Sequence, residues 1–125
     1  MDEMLRKGAL EMAADVASGR ITSRALVEAH LARIEEVNPH VNAVVRVLAD
    51  DARRMADEAD RAVASGARLG PFHGVPFTIK DNIDVAGQPT TNGLPIFAEA
   101  IAPSSAPAFE RMIAAGAIPR VVATS

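Results

Sequence analysis

Lys80 lies in the middle of an apolar segment, GVPFTIKDNIDV, and is the residue in this sequence best placed to do chemistry. In an extended strand, side chains alternate between two faces, so we expect Thr78, Lys80 and Asn82 to form one polar row. Burying an ammonium without a partner costs several kcal/mol, so the group pairs with an anion, extends to water or loses its proton. A lysine that has lost its proton is a base, and the segment is therefore a candidate for proton-transfer chemistry.

Other chemistry-bearing residues give weaker patterns. The sequence has no cysteine, which excludes thiolate nucleophiles, disulfides and cysteine metal sites. The three histidines are scattered without metal-site spacing, and we predict surface or supporting roles for His30, His40 and His73. The glycine-rich segment 66–70 lacks the lysine and hydroxyl of a phosphate-binding loop. We therefore predict neither a metal nor an organic cofactor.

Size and charge limit the class of protein. The chain has 125 residues, enough for one ordinary domain. Its 13 basic and 16 acidic residues give a net charge of −3 without blocks of one sign, which argues against nucleic acid or an anionic membrane as the main partner. No apolar run approaches a membrane span and the N-terminus lacks a signal-peptide layout, so we expect a cytoplasmic protein.

The first half of the sequence has helical spacing of its apolar residues. We predict helices over Asp2–Ala17, from Thr22 or Ser23 to the Asn38-Pro39 pair, and over Asp50–Ser65. The β-branched segment Val41–Leu48 predicts a short strand between the last two helices.

The second half has the pattern strand, helix, strand. The Lys80 segment is followed by turns and then by a helix with Pro107 in its first turn, for which Ser104 or Ser105 is a candidate cap. That helix should end at Gly116, and residues 117–123 should form a further strand. Strand, helix and strand in this order suggest a right-handed parallel crossover. The predicted fold class is α/β, with helices packed on a mixed, partly parallel β-sheet.

The segment GPFHGVPFTIKDNIDVAGQPTTNG resembles the opening part of the amidase signature family. The flanking segments VNAVVRVLADDARRMADEAD and APAFERMIAAGAIP are similar to the parts of that family before and after the lysine. The resemblance extends to Pro119, whereas residues 120–125 depart from the family pattern. It implies that residues 1–125 form a single partial domain, the N-terminal part of a larger one.

The resemblance implies a hydrolase that cleaves carboxamide C–N bonds with a serine nucleophile, a second serine in a cis peptide linkage, and a lysine that Lys80 matches. In the family's mechanism the neutral lysine accepts a proton relayed through the second serine. A lysine can do this only if its pKa falls from about 10.4 towards neutrality, and burial can impose a fall of that size. We expect the apolar residues flanking Lys80 to supply this burial.

The resemblance also places residues beside the site. Asp81 and Asn82 would support it, and Thr90, Thr91 and Gly93 match a family segment near the active centre. Both family serines lie well downstream of the lysine, and nothing in this sequence resembles the stretch that carries them. We therefore expect the chain to be inactive alone and its complete form to act on a small-molecule amide.

Two alternatives differ in function. The chain could be a non-catalytic interaction module whose open sheet edges drive self-association, with a homodimer as the expected assembly. It could also be a fragment of the amidase subunit of a tRNA-dependent amidotransferase. The residues that separate this subunit from a free-standing amidase would lie downstream.

Overall fold

A computed structural model describes residues 3–123. The helices are a short 3-10 helix at Glu3–Arg6, α1 at Ala9–Ala17, α2 at Ser23–Val41, α3 at Ala49–Ala64, a second 3-10 helix at Pro95–Phe97, and α4 at Pro107–Ala114. The strands are β1 at Val44–Val47, β2 at Pro76–Lys80 and β3 at Ile118–Ala123.

The three strands form one mixed sheet in the order β1-β3-β2. Strand β3 pairs in parallel with β2 and antiparallel with β1, which confirms the predicted mixed, partly parallel sheet. The register of β2 against β3 shifts by one residue, because Phe77 is opposite Pro119 whereas Thr78 is opposite Val121. Arg120 is therefore the extra residue of a β-bulge, a feature that turns a side chain away from regular alternation.

The helices cover the sheet through three apolar clusters. The first joins α2 and α3 to β3, the second joins α1 and α2 to the start of β2, and the third places α4 against the sheet. Their buried members are Val27, Leu31, Ala52, Ala56, Ala59 and Ile118 in the first, Met12, Val16, Leu26 and Val75 in the second, and Ile79, Phe109 and Val122 in the third. The buried residues of α3 in the first cluster are all alanines.

Helix boundaries follow the predictions in part. The Thr22 hydroxyl accepts a hydrogen bond from the Ala25 N–H at 3.0 Å, which confirms Thr22 as the N-cap of α2. Helix α2 continues through Pro39 to Val41 instead of ending before it: the proline removes only its own N–H, and the Asn42 N–H still donates to the Asn38 carbonyl at 2.7 Å. The Asn38 amide then bonds both backbone groups of Val44, at 2.9 and 3.0 Å. Because α2 extends to Val41 and Asn42 is in the left-handed conformation, β1 begins only at Val44 and is shorter than predicted.

The predicted first helix is also shorter. A 3-10 helix and α1 flank Gly8, the extended N-cap of α1, so the segment is not one continuous helix. Asp2, the predicted first residue, lies outside the described residues.

The predicted serine cap of α4 is wrong. The N-cap is Ala106, which offers no side-chain oxygen, and Pro107 is the first residue of the helix as predicted. The Ser105 hydroxyl instead accepts a hydrogen bond from the Ala86 N–H at 2.9 Å. Ser105 therefore ties the start of α4 to the loop after β2.

Gly116 ends α4 with a φ of +93°, and a Cβ there would lie 2.7 Å from the Cα of His73. We expect Gly116→Ala to lower the free energy of unfolding by about 3 kcal/mol, from a strained φ and a clash with backbone. Gly87 is the matched control, since its φ is +81° but no atom lies within 4 Å of the Cβ position. Gly87→Ala should lower the free energy of unfolding by only about 1 kcal/mol. Urea unfolding followed by circular dichroism measures both, and equal losses would contradict the clash.

None of the helices in residues 3–123 combines the length and apolar character needed to cross a membrane.

Candidate active site around Lys80

Lys80 is the last residue of β2, opposite Ala123 of β3. The predicted polar row is confirmed for Thr78 and Lys80, which are exposed on β2 with Ile79 buried between them, whereas Asn82 is exposed in the turn after the strand. The expected burial of Lys80 is wrong for this chain, because β2 is an edge strand and ends at this residue. Within residues 3–123, the Lys80 ammonium forms neither a hydrogen bond nor an ion pair.

Asp81 is a buried carboxylate, with 3% of its surface exposed. It accepts hydrogen bonds from the Arg46 guanidinium at 3.1 Å, from the Thr91 N–H at 3.2 Å, and from the Thr91 hydroxyl. Burial alone would raise the pKa of Asp81, but the hydrogen bonds from Thr91 and Arg46 outweigh it and hold that pKa below its ordinary value. Asp81 is therefore ionised at neutral pH, and its charge is directed towards Arg46.

The backbone of Asp81 adds two further links. Its N–H donates to the Ala123 carbonyl of β3 at 3.0 Å, and its own carbonyl accepts from the Asn92 N–H at 3.0 Å. Arg46 of β1 also donates to the Pro89 carbonyl at 2.8 Å. Asp81 thus connects β1, β3 and the loop of residues 89–93 at the residue directly after Lys80.

The loop of residues 89–93 is held by its own hydroxyl groups. The Thr91 oxygen that donates to Asp81 accepts from the Gly93 N–H at 3.2 Å, and the Thr90 hydroxyl donates to Asp84 at 2.6 Å. Gly93 has a φ of +76°, a left-handed conformation that favours glycine.

The structure therefore brings some of the sequence-predicted site residues together and leaves others apart. Asp81, Thr91 and Gly93 share one hydrogen-bond network, and Thr90 binds the adjacent Asp84. Asn82 is exposed beside Lys80 and makes no hydrogen bond to the other described residues. Sequence reasoning missed Arg46, although a lone cation in the apolar segment VVRV is the same kind of signal as Lys80.

The histidines lie outside this network. His73 contacts the Ala59 carbonyl through Nε2 at 2.9 Å, and His30 lies on α2. Burial, together with the positive charge of Arg120, lowers the pKa of His30 to about 4, so its ring is neutral at pH 7. No group of three metal-ligating side chains occurs within the part of the chain that the structure describes.

Comparison with known proteins identifies the class to which this fold and lysine segment belong. A family model described as Amidase matches residues 25–124, which is most of the chain. The chain belongs to the amidase signature family and corresponds to its N-terminal portion.

Individual relatives agree with this assignment. Indoleacetamide hydrolase of Bradyrhizobium diazoefficiens is 47% identical over 88% of this chain and 21% of its own length. A glutamyl-tRNA(Gln) amidotransferase subunit from a Synechococcus strain is 41% identical over 82% of this chain and 21% of its own length. The structure of a peptide amidase from Stenotrophomonas maltophilia superposes with a TM-score of 0.88 at 29% identity, covering 97% of this chain and 25% of that one. The chain thus spans about a fifth of the length of the curated relatives it matches.

Proposed function

We propose that this chain is the lysine-bearing part of a hydrolase that cleaves carboxamide C–N bonds, and that Lys80 is the base of the reaction. The observation that carries the proposal is the unpaired ammonium group of Lys80 at the end of β2, next to the fixed network of Asp81 within the described residues. Membership of the amidase signature family supplies the type of reaction.

The direction of the Asp81 carboxylate supports a basic role for Lys80. A carboxylate close to a lysine favours the charged ammonium and so opposes proton acceptance. Asp81 is the neighbour of Lys80 in sequence, yet its oxygens are bound by Arg46 and Thr91. The arrangement holds Lys80 in place through the backbone of Asp81 without pairing the two charges.

The reaction requires two serines in addition to Lys80. A serine hydroxyl attacks the amide carbon and loses its proton, which passes through a second serine to the neutral Lys80 amine. The proton is then returned to the departing amine, and water releases the acyl group from the serine. The rest of an amidase domain would carry both serines and would cover Lys80, which is exposed in this chain.

Small-molecule amides are the proposed substrates. The Bradyrhizobium relative is named for hydrolysis of indoleacetamide, and the Synechococcus relative is named as part of a glutamyl-tRNA amidotransferase. Cleavage of a carboxamide by a serine and a lysine is chemistry that could serve either role. We therefore propose the amide bond as the target and assign Asp81, Asn82, Thr90, Thr91 and Gly93 to support around Lys80.

A chimera tests this function. This chain would replace the matching fifth of the Bradyrhizobium indoleacetamide hydrolase, whose remaining sequence provides everything downstream. We expect the chimera to hydrolyse indoleacetamide and the 125-residue chain alone to be inactive. A folded chimera without activity would overturn the proposal, as would turnover by the isolated chain.

A second candidate function is self-association. Strands β1 and β2 are the edges of the three-stranded sheet, and on β1 Val45 and Val47 are 46% and 51% exposed. Unpaired edges with apolar side chains recruit further strands. We expect the isolated chain to elute as a dimer in size-exclusion chromatography with light scattering, and Val45→Lys, placing a charge on this edge, to shift it towards monomer. A monomer at high concentration would contradict this candidate.

A further inference from the structure

A cavity of about 310 Å³ lies between the 3-10 helix Glu3–Arg6, α2, β1 and β3. Its walls are mainly apolar and include Leu5, Ile34, Val37, Val41, Ala43 and Val44. Four polar side chains complete the lining, namely His30, Arg33, Asn38 and Arg120. The cavity has the size of a site for a small organic molecule, and Lys80 and Asp81 are not part of its lining.

Arg120 reaches this cavity because of the bulge in β3. It is the extra residue between the pairs Phe77–Pro119 and Thr78–Val121, so β2 has no residue opposite it, and on the β1 side it faces Leu48, the residue after that strand. Its carbonyl accepts from the Leu48 N–H at 2.8 Å, which fixes its backbone. A β-bulge in a central strand changes the direction in which a side chain points.

The Arg120 guanidinium has no counter-ion among residues 3–123. Its Nε is buried without a hydrogen-bond partner, and burial lowers the pKa of the group. A partly buried guanidinium without an anion is an unfavourable arrangement, because the desolvation of the charge is not compensated.

Of the other three polar side chains that line the cavity, two have partners within residues 3–123 and one has a buried nitrogen without a partner. The Asn38 amide is bound to both backbone groups of Val44, and Arg33 pairs with Glu36 at 3.1 Å. His30 Nε2, in contrast, is buried and has no partner among the described residues. Among residues 3–123, the polar groups at the cavity without a partner are therefore the Arg120 guanidinium and the neutral His30 imidazole, both next to an apolar wall.

We propose that this cavity binds a small monocarboxylate with an apolar body. The carboxylate would accept hydrogen bonds from Arg120, whose planar fork matches its two oxygens, and His30 would supply a further contact. The apolar body would lie against the side chains of α2 and β1. This site is independent of the reaction proposed for Lys80.

Benzoate is a suitable probe, and benzyl alcohol is its uncharged counterpart. The 125-residue chain would be titrated with each compound by isothermal titration calorimetry, and two-dimensional amide NMR would locate the change. We expect saturable binding of benzoate, at least tenfold weaker binding of benzyl alcohol, and shifts concentrated at residues 30–44 and 118–121.

Substitutions at two positions distinguish specific binding in the cavity from nonspecific attraction. Arg120→Met should weaken benzoate binding at least tenfold while the chain remains folded, since it removes an unpaired charge. Arg54→Met removes an exposed cation on α3 outside the cavity lining, and this control should change binding less than twofold. The absence of saturable benzoate binding would overturn the proposal, and so would equal binding of benzyl alcohol or equal effects of the two substitutions. Arg120→Lys, which keeps the charge and loses the fork, should bind benzoate more weakly than the unsubstituted chain.

Discussion

Lys80→Met in the Bradyrhizobium chimera is expected to lower kcat for indoleacetamide hydrolysis by about 10³-fold. Methionine has nearly the length of lysine but no basic nitrogen, so the serine proton loses its acceptor. The Lys80 side chain makes no hydrogen bond or ion pair within residues 3–123, and methionine preserves its length where the rest of the domain covers it, so the variant should fold as well as the parent. The loss should therefore appear in kcat, with KM changed less than threefold.

Lys80→Arg shows whether the charge or the basicity matters. Arginine keeps a cation at the same position but remains protonated at any accessible pH. We expect it to be as inactive as Lys80→Met. Arg54→Met serves as a control, since Arg54 is an exposed cation on α3 with partners only on its own helix, and it should retain activity. Activity above a tenth of the parent value in Lys80→Met would show that another group is the base.

Asp81→Ala is expected to lower the free energy of unfolding by about 3 kcal/mol. The substitution leaves Arg46, whose side chain is 25% exposed, without its carboxylate, and it leaves the Thr91 N–H and hydroxyl without their acceptor. The same carboxylate links β1 to the loop of residues 89–93, so the only side-chain link left between them within the described residues is the hydrogen bond from Arg46 to the Pro89 carbonyl. Urea unfolding by circular dichroism measures the loss.

Asp84→Ala is the matched control for this prediction. Asp84 is an exposed carboxylate three residues further along, with one side-chain hydrogen bond, from Thr90. Asp84→Ala should lower the free energy of unfolding by only about 0.5 kcal/mol. If Asp81→Ala and Asp84→Ala lower the free energy of unfolding by similar amounts, the burial of Asp81 is not the reason for its contribution to stability.

Acid should act on Asp81 in a defined range of pH. The pKa of Asp81 is lower in the folded chain than the ordinary value of 3.8, so the unfolded chain binds the proton more tightly. The stabilising contribution is complete above that ordinary value and is lost as pH falls through it towards the folded pKa. Asp81→Asn removes this titrating carboxyl group, so the free energy of unfolding of the variant should depend less on pH below the ordinary value of 3.8.

The sequence pattern around Lys80 predicts the local arrangement well. Alternation in a strand is a short-range property, so the exposure of Thr78 and Lys80 on β2 could be predicted from residue order alone. Whether Lys80 is buried could not be predicted in this way, because burial depends on which element covers the edge of the sheet. That information is not local to the segment.

The network around Asp81 shows a similar limit. Asp81 follows β2, while its partner Arg46 lies on β1, and β3 separates these two strands. Only the order of strands in the sheet brings the two charges together, and that order is set by long-range packing. Short-range signals, in contrast, placed the cap Thr22 and the terminator Gly116 correctly. The proline signal at Pro39 failed because the hydrogen bond from the Asn42 N–H to the Asn38 carbonyl carries the last turn past the proline.

The order of the strands has a consequence for the synthesis of the protein. Strand β3 comes last in sequence but lies between β1 and β2, which do not pair with each other. As the chain leaves the ribosome, the helices can begin to associate, whereas no hydrogen bond of the sheet can form until residues 118–123 have emerged. Until then both earlier strands remain unpaired, so the interval before β3 appears is when the nascent chain is most exposed to aggregation and most dependent on chaperones.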